Sequence, residues 1–183
     1  KETREAMPTD AIHLRSRERR RSLLSAVALL VLAGAVLTPP AAAGPVRGNF
    51  EISGPECRFP DVAHGSAGDR YLVVWADYSV TRVFGRFVSS SGEVDGDPFP
   101  ISEAPYGALF PAVAYNAVDD ELLVTWDDFG GRGEVIHGQR VRAADGELAG
   151  GNFAIGSRQG GIRSAVAWSG ASNVYLVVYF VPG

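Results

Sequence analysis

The sequence predicts an all-β fold of repeated four-stranded antiparallel units, the blades of a β-propeller whose ring is incomplete in this chain. Three observations carry that expectation. Residues 71–77, Tyr-Leu-Val-Val-Trp-Ala-Asp, return as Leu-Leu-Val-Thr-Trp-Asp-Asp at 122–128 and as Tyr-Leu-Val-Val-Tyr at 175–179. Phe59-Pro60-Asp61-Val62-Ala63 matches Phe110-Pro111-Ala112-Val113-Ala114 at an offset of 51, and Arg163-Ser164-Ala165-Val166-Ala167 at a further 53. Finally, 22 Gly and 11 Pro accompany 46% apolar residues, a mixture suited to many short strands joined by turns. An open β-sandwich-like repeat is the alternative architecture, but it does not explain why the same aromatic recurs in register.

Residues 1–43 stand apart from the repeats. Seven of the 17 basic residues lie in the first 21 positions, and residues 22–37 follow without a charge. Pro39-Pro40 and the small-residue run Ala41-Ala42-Ala43-Gly44 complete the three parts of a secretory signal peptide, with cleavage expected after Ala43. An uncleaved anchor is the competing reading, but the apolar run is shorter than the roughly 20 residues a spanning helix needs. Arg20-Arg21 resembles a twin-arginine export signal, and Met7 is a more natural start than Lys1, so residues 1–6 read as upstream read-through. A secreted, periplasmic or cell-surface location follows. Beyond residue 43, ten Arg face 17 Asp and Glu, a formal charge of −7, which argues against nucleic acid or an anionic membrane as partner. Cys57 is the one cysteine, so no intramolecular disulfide can form.

The repeat region spans 44–183. It opens with Asn49-Phe50-Glu51-Ile52, which resembles the later fourth strands, so 48–53 is expected to be an orphan strand. Unit one runs over 59–102 and unit two over 110–156, while 163–181 supplies two strands of a third unit. Within each unit the first strand ends in a Gly, Asn or Asp turn. The second strand is apolar on both alternating faces and therefore needs cover on both. The third strand carries Gly85-Arg86-Phe87-Val88 or Gly138-Gln139-Arg140-Val141. The fourth pairs Phe99 with Ile101, or Phe153 with Ile155, on one face. Pro100 cannot donate to a ladder, which makes the fourth strand an edge.

At these residues the chain resembles the tandem Phe-Pro-x-Val-Ala-Tyr-Asn and Tyr-Leu-Val-Val-Trp repeats of bacterial secreted and surface proteins. The resemblance covers 48–183 and implies a propeller-like fold, mostly without assigned activity. Unit one departs from it with His64-Gly65 for Tyr-Asn, and unit three with Arg163-Ser164 for Phe-Pro and Tyr179 for Trp.

Chemistry is harder to find. No Asp-x-Asp-x-Asp-Gly loop, Gly-x-Ser-x-Gly elbow or Cys-x-x-Cys pair occurs, and no cofactor or metal site is expected. In an antiparallel meander the loop from second to third strand and the connector to the next unit emerge at one end. That rim gathers Asp77, Tyr78 and Arg82 with Asp127, Asp128, Phe129 and Arg132. Such a mixture suits recognition of a glycan or a protein. Asp77 and Asp128 could instead serve a glycosidase as acid and base, or simply cap the turns that follow them. With only two complete units, the outer faces of the first and last blades, carrying residues such as Val177 and Tyr179, are expected to be uncovered and to favour self-association. On that reading, further Leu-Val-Val-Trp copies are expected beyond Gly183.

Overall fold

The computed structural model describes residues 48–103, 107–130, 135–156 and 160–183; residues 1–43, expected to be a signal peptide, lie outside them. Ten antiparallel strands form three sheets, with no helix among the described residues. Sheet I contains β1 (Cys57–Gly65), β2 (Arg70–Asp77), β3 (Arg82–Ser89) and β4 (Val94–Pro100), in that order. Sheet II repeats it with β5 (Ala108–Asn116), β6 (Glu121–Asp128), β7 (Val135–Arg142) and β8 (Leu148–Ile155). Sheet III is the pair β9 (Ile162–Ser169) and β10 (Val174–Phe180). The sheets do not close on one another.

The local signals act as their chemistry requires. The first turn of every unit closes on a residue with positive φ, Asp69, Asp120 or Asn173, and these short polar side chains tolerate the left-handed region. Gly85 and Gly138 let the fourth strand's apolar pair fold over the sheet centre. A Cβ there would lie 2.8 Å from the Ile101 or Ile155 Cδ1. β4 is an edge strand, as Pro100 demands, and the Ile101 N–H continues the pairing to the Val83 carbonyl at 2.8 Å. One expected strand is missing: residues 48–53 form none. The edge beside β3 is taken by β4, and the segment is tied to sheet I by Arg86, which donates to the Ile52 carbonyl at 3.1 Å.

The sheets stack through their first strands, β1 against β5 and β5 against β9. The Asp61 carboxylate accepts the Val113 N–H at 2.8 Å across the first junction. Asp61 pairs with Val74, so the Leu72/Val74/Ala76 face of sheet I points at sheet II. Arg70 reinforces this junction by donating its Nε to the Ala143 carbonyl at 3.0 Å while lying over the Phe87 ring. Across the second junction Thr125 meets Ser164 at 3.0 Å, so Leu123, Thr125 and Asp127 point at sheet III. Leu122, Val124 and Trp126 therefore face sheet I, and they share one buried cluster with Leu72, Val74, Phe87 and Ile101. β6 is covered on both faces, as its double apolar pattern requires.

The outermost face differs from the expected one. Val177 and Tyr179 are half-buried, on the face that also carries Tyr175, whose hydroxyl donates to the Glu121 carbonyl at 3.3 Å. The bare face of sheet III is the opposite one, with Val174, Leu176, Val178 and Phe180 each more than half exposed. Both faces of this strand are apolar, so its pattern alone does not say which one meets sheet II.

Candidate functional site

The first strands carry the feature that repetition makes conspicuous. Phe59, Phe110 and Arg163 lie near the starts of β1, β5 and β9, and all three have left-handed backbones, with φ of 53°, 53° and 57°. Each sits where its ladder slips: the register breaks between Arg58 and Asp61, between Leu109 and Ala112, and opposite the Val178/Phe180 break. Bulky side chains rarely adopt this conformation, and a bulge is what re-aims a side chain away from the pleat. The strain is held in place by hydrogen bonds. Asp127, fully buried, accepts the Arg163 N–H with both carboxylate oxygens at 2.9 Å.

The bulges bring the three side chains together in one cluster, with the Arg163 guanidinium also 5.8 Å from the Phe59 centroid. Phe59 and Phe110 have ring centroids 4.2 Å apart, and the Arg163 guanidinium lies 3.7 Å over the Phe110 centroid. Tyr78 joins from the rim, 6.1 Å from Phe59. Phe59, Phe110 and Arg163, together with Pro60, Pro111 and Ser164, line an open depression of about 340 Å³. Arg163 stays exposed while its guanidinium stacks on Phe110, and Phe59 is 37% exposed beside it. The arrangement sets two aromatic rings, tilted 47° to each other, beside a forked cationic donor.

The residues expected at the rim divide into two groups. The topology does gather them at one end: the Ala108 N–H donates to Thr81 and the Phe129 N–H to Gly107, joining loops and connector. Tyr78 and Phe129 are exposed, at 43% and 38%. Arg82 reaches the Glu103 carbonyl at 3.5 Å. Asp77 and Asp128 serve as turn caps: Asp77 accepts the Ser79 N–H at 2.8 Å, and Asp128 the Gly130 N–H at 2.7 Å. Asp128 also lies 3.2 Å from His137 Nδ1. Asp127 is no rim residue at all but the buried anchor of the third bulge. Arg132, together with 104–106 and 158–159 of the connectors, lies outside the described residues. Among the described residues no group of three or more His, Cys, Asp or Glu is placed to hold a metal ion.

Compared with protein-family models, curated proteins and solved structures, the chain matches none. Reading the sequence as repeats treated Phe59-Pro60 and Phe110-Pro111 as marks of the fold and missed them as a site. The signal was present in unit three, where Arg replaces Phe at the shared position. A cation packed against two aromatics marks an accessible position rather than a core one.

Proposed function

We propose that this chain is an exported, non-catalytic binding module of the β-propeller type, each sheet acting as a blade. In this reading it recognises a glycan or a protein segment at the cluster formed by Phe59, Phe110 and Arg163, with Tyr78 at its edge. The observation that carries this reading is the recurrence of one bulged position in three successive units, lining a single open depression. Aromatic platforms stack on sugar faces or apolar side chains, and a guanidinium edge adds a directional bond to a hydroxyl, carbonyl or carboxylate. The leader supports export, and the acidic charge of the remainder argues against nucleic acid. Asp77 and Asp128, the carboxylates that a hydrolase would use as acid and base, are engaged in turns.

The test is an array of neutral and acidic oligosaccharides run beside an immobilised peptide library and a panel of glycosidase substrates. Saturable binding on array or library, with no turnover on the panel, is the expected result. Turnover without retained binding would replace this reading with a hydrolase.

A further inference from the structure

Among the described residues every arginine but one spends its guanidinium on an oxygen. Arg70, Arg140 and Arg142 pair with carboxylates, while Arg58, Arg82 and Arg86 donate to main-chain carbonyls. Arg163 is the exception. Its guanidinium makes no hydrogen bond or ion pair with the described residues, and it packs 3.7 Å over the Phe110 centroid and 5.8 Å from that of Phe59. The main chain beneath it is fixed by the buried Asp127, which accepts the Arg163 N–H with both carboxylate oxygens at 2.9 Å. Stacking therefore holds a charged fork in place without using up its donors. The contacts of this side chain run back to sheets II and I, away from the bare face of sheet III.

We propose that the ligand of this cluster is an acidic oligosaccharide whose uronate carboxylate takes the fork of Arg163; this rests on the binding reading above and names what is bound. A guanidinium presents parallel N–H donors matched to the two oxygens of a carboxylate, which a hydroxyl or a carbonyl meets singly. Phe59, 37% exposed, supplies an aromatic face for the C–H side of a sugar. A hexuronate carries its carboxylate at the rim of the ring, so one ring seated on Phe59 reaches the guanidinium across the 5.8 Å between them. An extended peptide is recognised largely through main-chain hydrogen bonds, and the depression is poor in donors for them. Pro60 and Pro111 have no N–H, and the N–H groups of Val113 and Arg163 are already accepted by Asp61 and Asp127. Among the described lining residues Asp61 is the one carboxylate, and its Oδ2 is engaged by Val113. The acidity of the repeat region opposes a dense polyanion, but charges more than about 8 Å away are largely screened at physiological salt, which leaves the contact pair to decide.

The test titrates the full-length chain with oligosaccharides of galacturonate, guluronate and glucuronate, each beside its methyl ester, and with a series of acidic peptides. The expected result is that at least one acid binds about tenfold or more tightly than its own ester. Arg163→Lys keeps the charge and loses the fork, so it should remove most of that preference, leave the affinity for the ester within about twofold, and melt like the parent because the side chain is exposed. A preference that survives Arg163→Lys would place the carboxylate elsewhere and overturn the assignment. Acid and ester binding equally, with both lost in Phe110→Ala, would overturn the carboxylate while leaving the binding module standing. Retention of acidic peptides and of none of the sugars would overturn the sugar. Retention of no sugar, ester or peptide would overturn the module together with this proposal.

Discussion

Replacing Trp126 tests whether β6 is the centre of the stack. Its side chain is fully buried in the cluster shared by sheets I and II, with His137 edge-on at 6.2 Å. Trp126→Ala removes the largest side chain of that cluster, and such truncations cost about 3 to 5 kcal/mol. For a domain of this size that lowers Tm by roughly 10 to 20 °C. The indole also carries a cost of its own, because Nε1 is buried with no hydrogen-bond partner among the described residues. An unpaired buried donor costs about 1 to 3 kcal/mol. Trp126→Phe gives up part of the ring contact but removes that donor, so the two effects nearly cancel and stability should stay within about 1 kcal/mol of the parent. Urea melts of the three proteins measure the difference. A Phe variant as damaged as the Ala variant would refute the offset, and an Ala variant that melts like the parent would refute the central place of β6.

Other perturbations probe the junctions and the bulges. Tyr175 is half-buried between sheets II and III; its phenol is pushed well above 10, first by burial and then by the nearby Glu121 charge. A raised folded-state value means that this stability is present below about pH 10 and is lost as pH climbs toward the folded value. Alkaline melts should show the loss, and Tyr175→Phe should remove that component. Gly138→Ala should cost about 1 to 3 kcal/mol, because a Cβ there would sit 2.8 Å from Ile155 and 3.1 Å from Phe153; an unchanged melting curve would mean that β8 does not pack as described. Asp127→Ala strips the Arg163 N–H of its acceptor and should cost about 1 to 3 kcal/mol, against about 0.5 to 1 for Asp128→Ala at a turn. Thermal melts that rank the two in reverse would contradict the anchoring role of Asp127.

Much of the architecture was legible because it rests on short-range rules. A strand apolar on both faces must be covered twice, Asn and Asp tolerate left-handed turns, and Pro100 belongs on an edge. Residues 48–53 misled because resemblance to a fourth strand supplies no third strand to pair with. The bare face of β10 was assigned to Val177 and Tyr179 for a related reason. When both faces of a strand are apolar, the direction of stacking decides which is buried, and that direction is a tertiary fact. The candidate site was half legible: the meander topology places the rim and Tyr78 at one end, and an Asp after a strand reads as the turn cap that Asp77 and Asp128 form. The outward aim of Phe59 and Phe110 depends on a bulge with positive φ, which an alternating pattern does not reveal.

Binding at the bulged cluster is the claim on which the functional account stands. Its most direct test takes whichever oligosaccharide or peptide the array or library retains and titrates it against four proteins: the parent, Phe110→Ala, Arg163→Ala and Phe129→Ala. The account predicts that Kd rises at least tenfold for Phe110→Ala and Arg163→Ala, since each removes one half of the stacked pair, and stays within about twofold for Phe129→Ala. Unchanged affinity in the first two variants with a loss in Phe129→Ala would move the site to the outer rim and contradict the account.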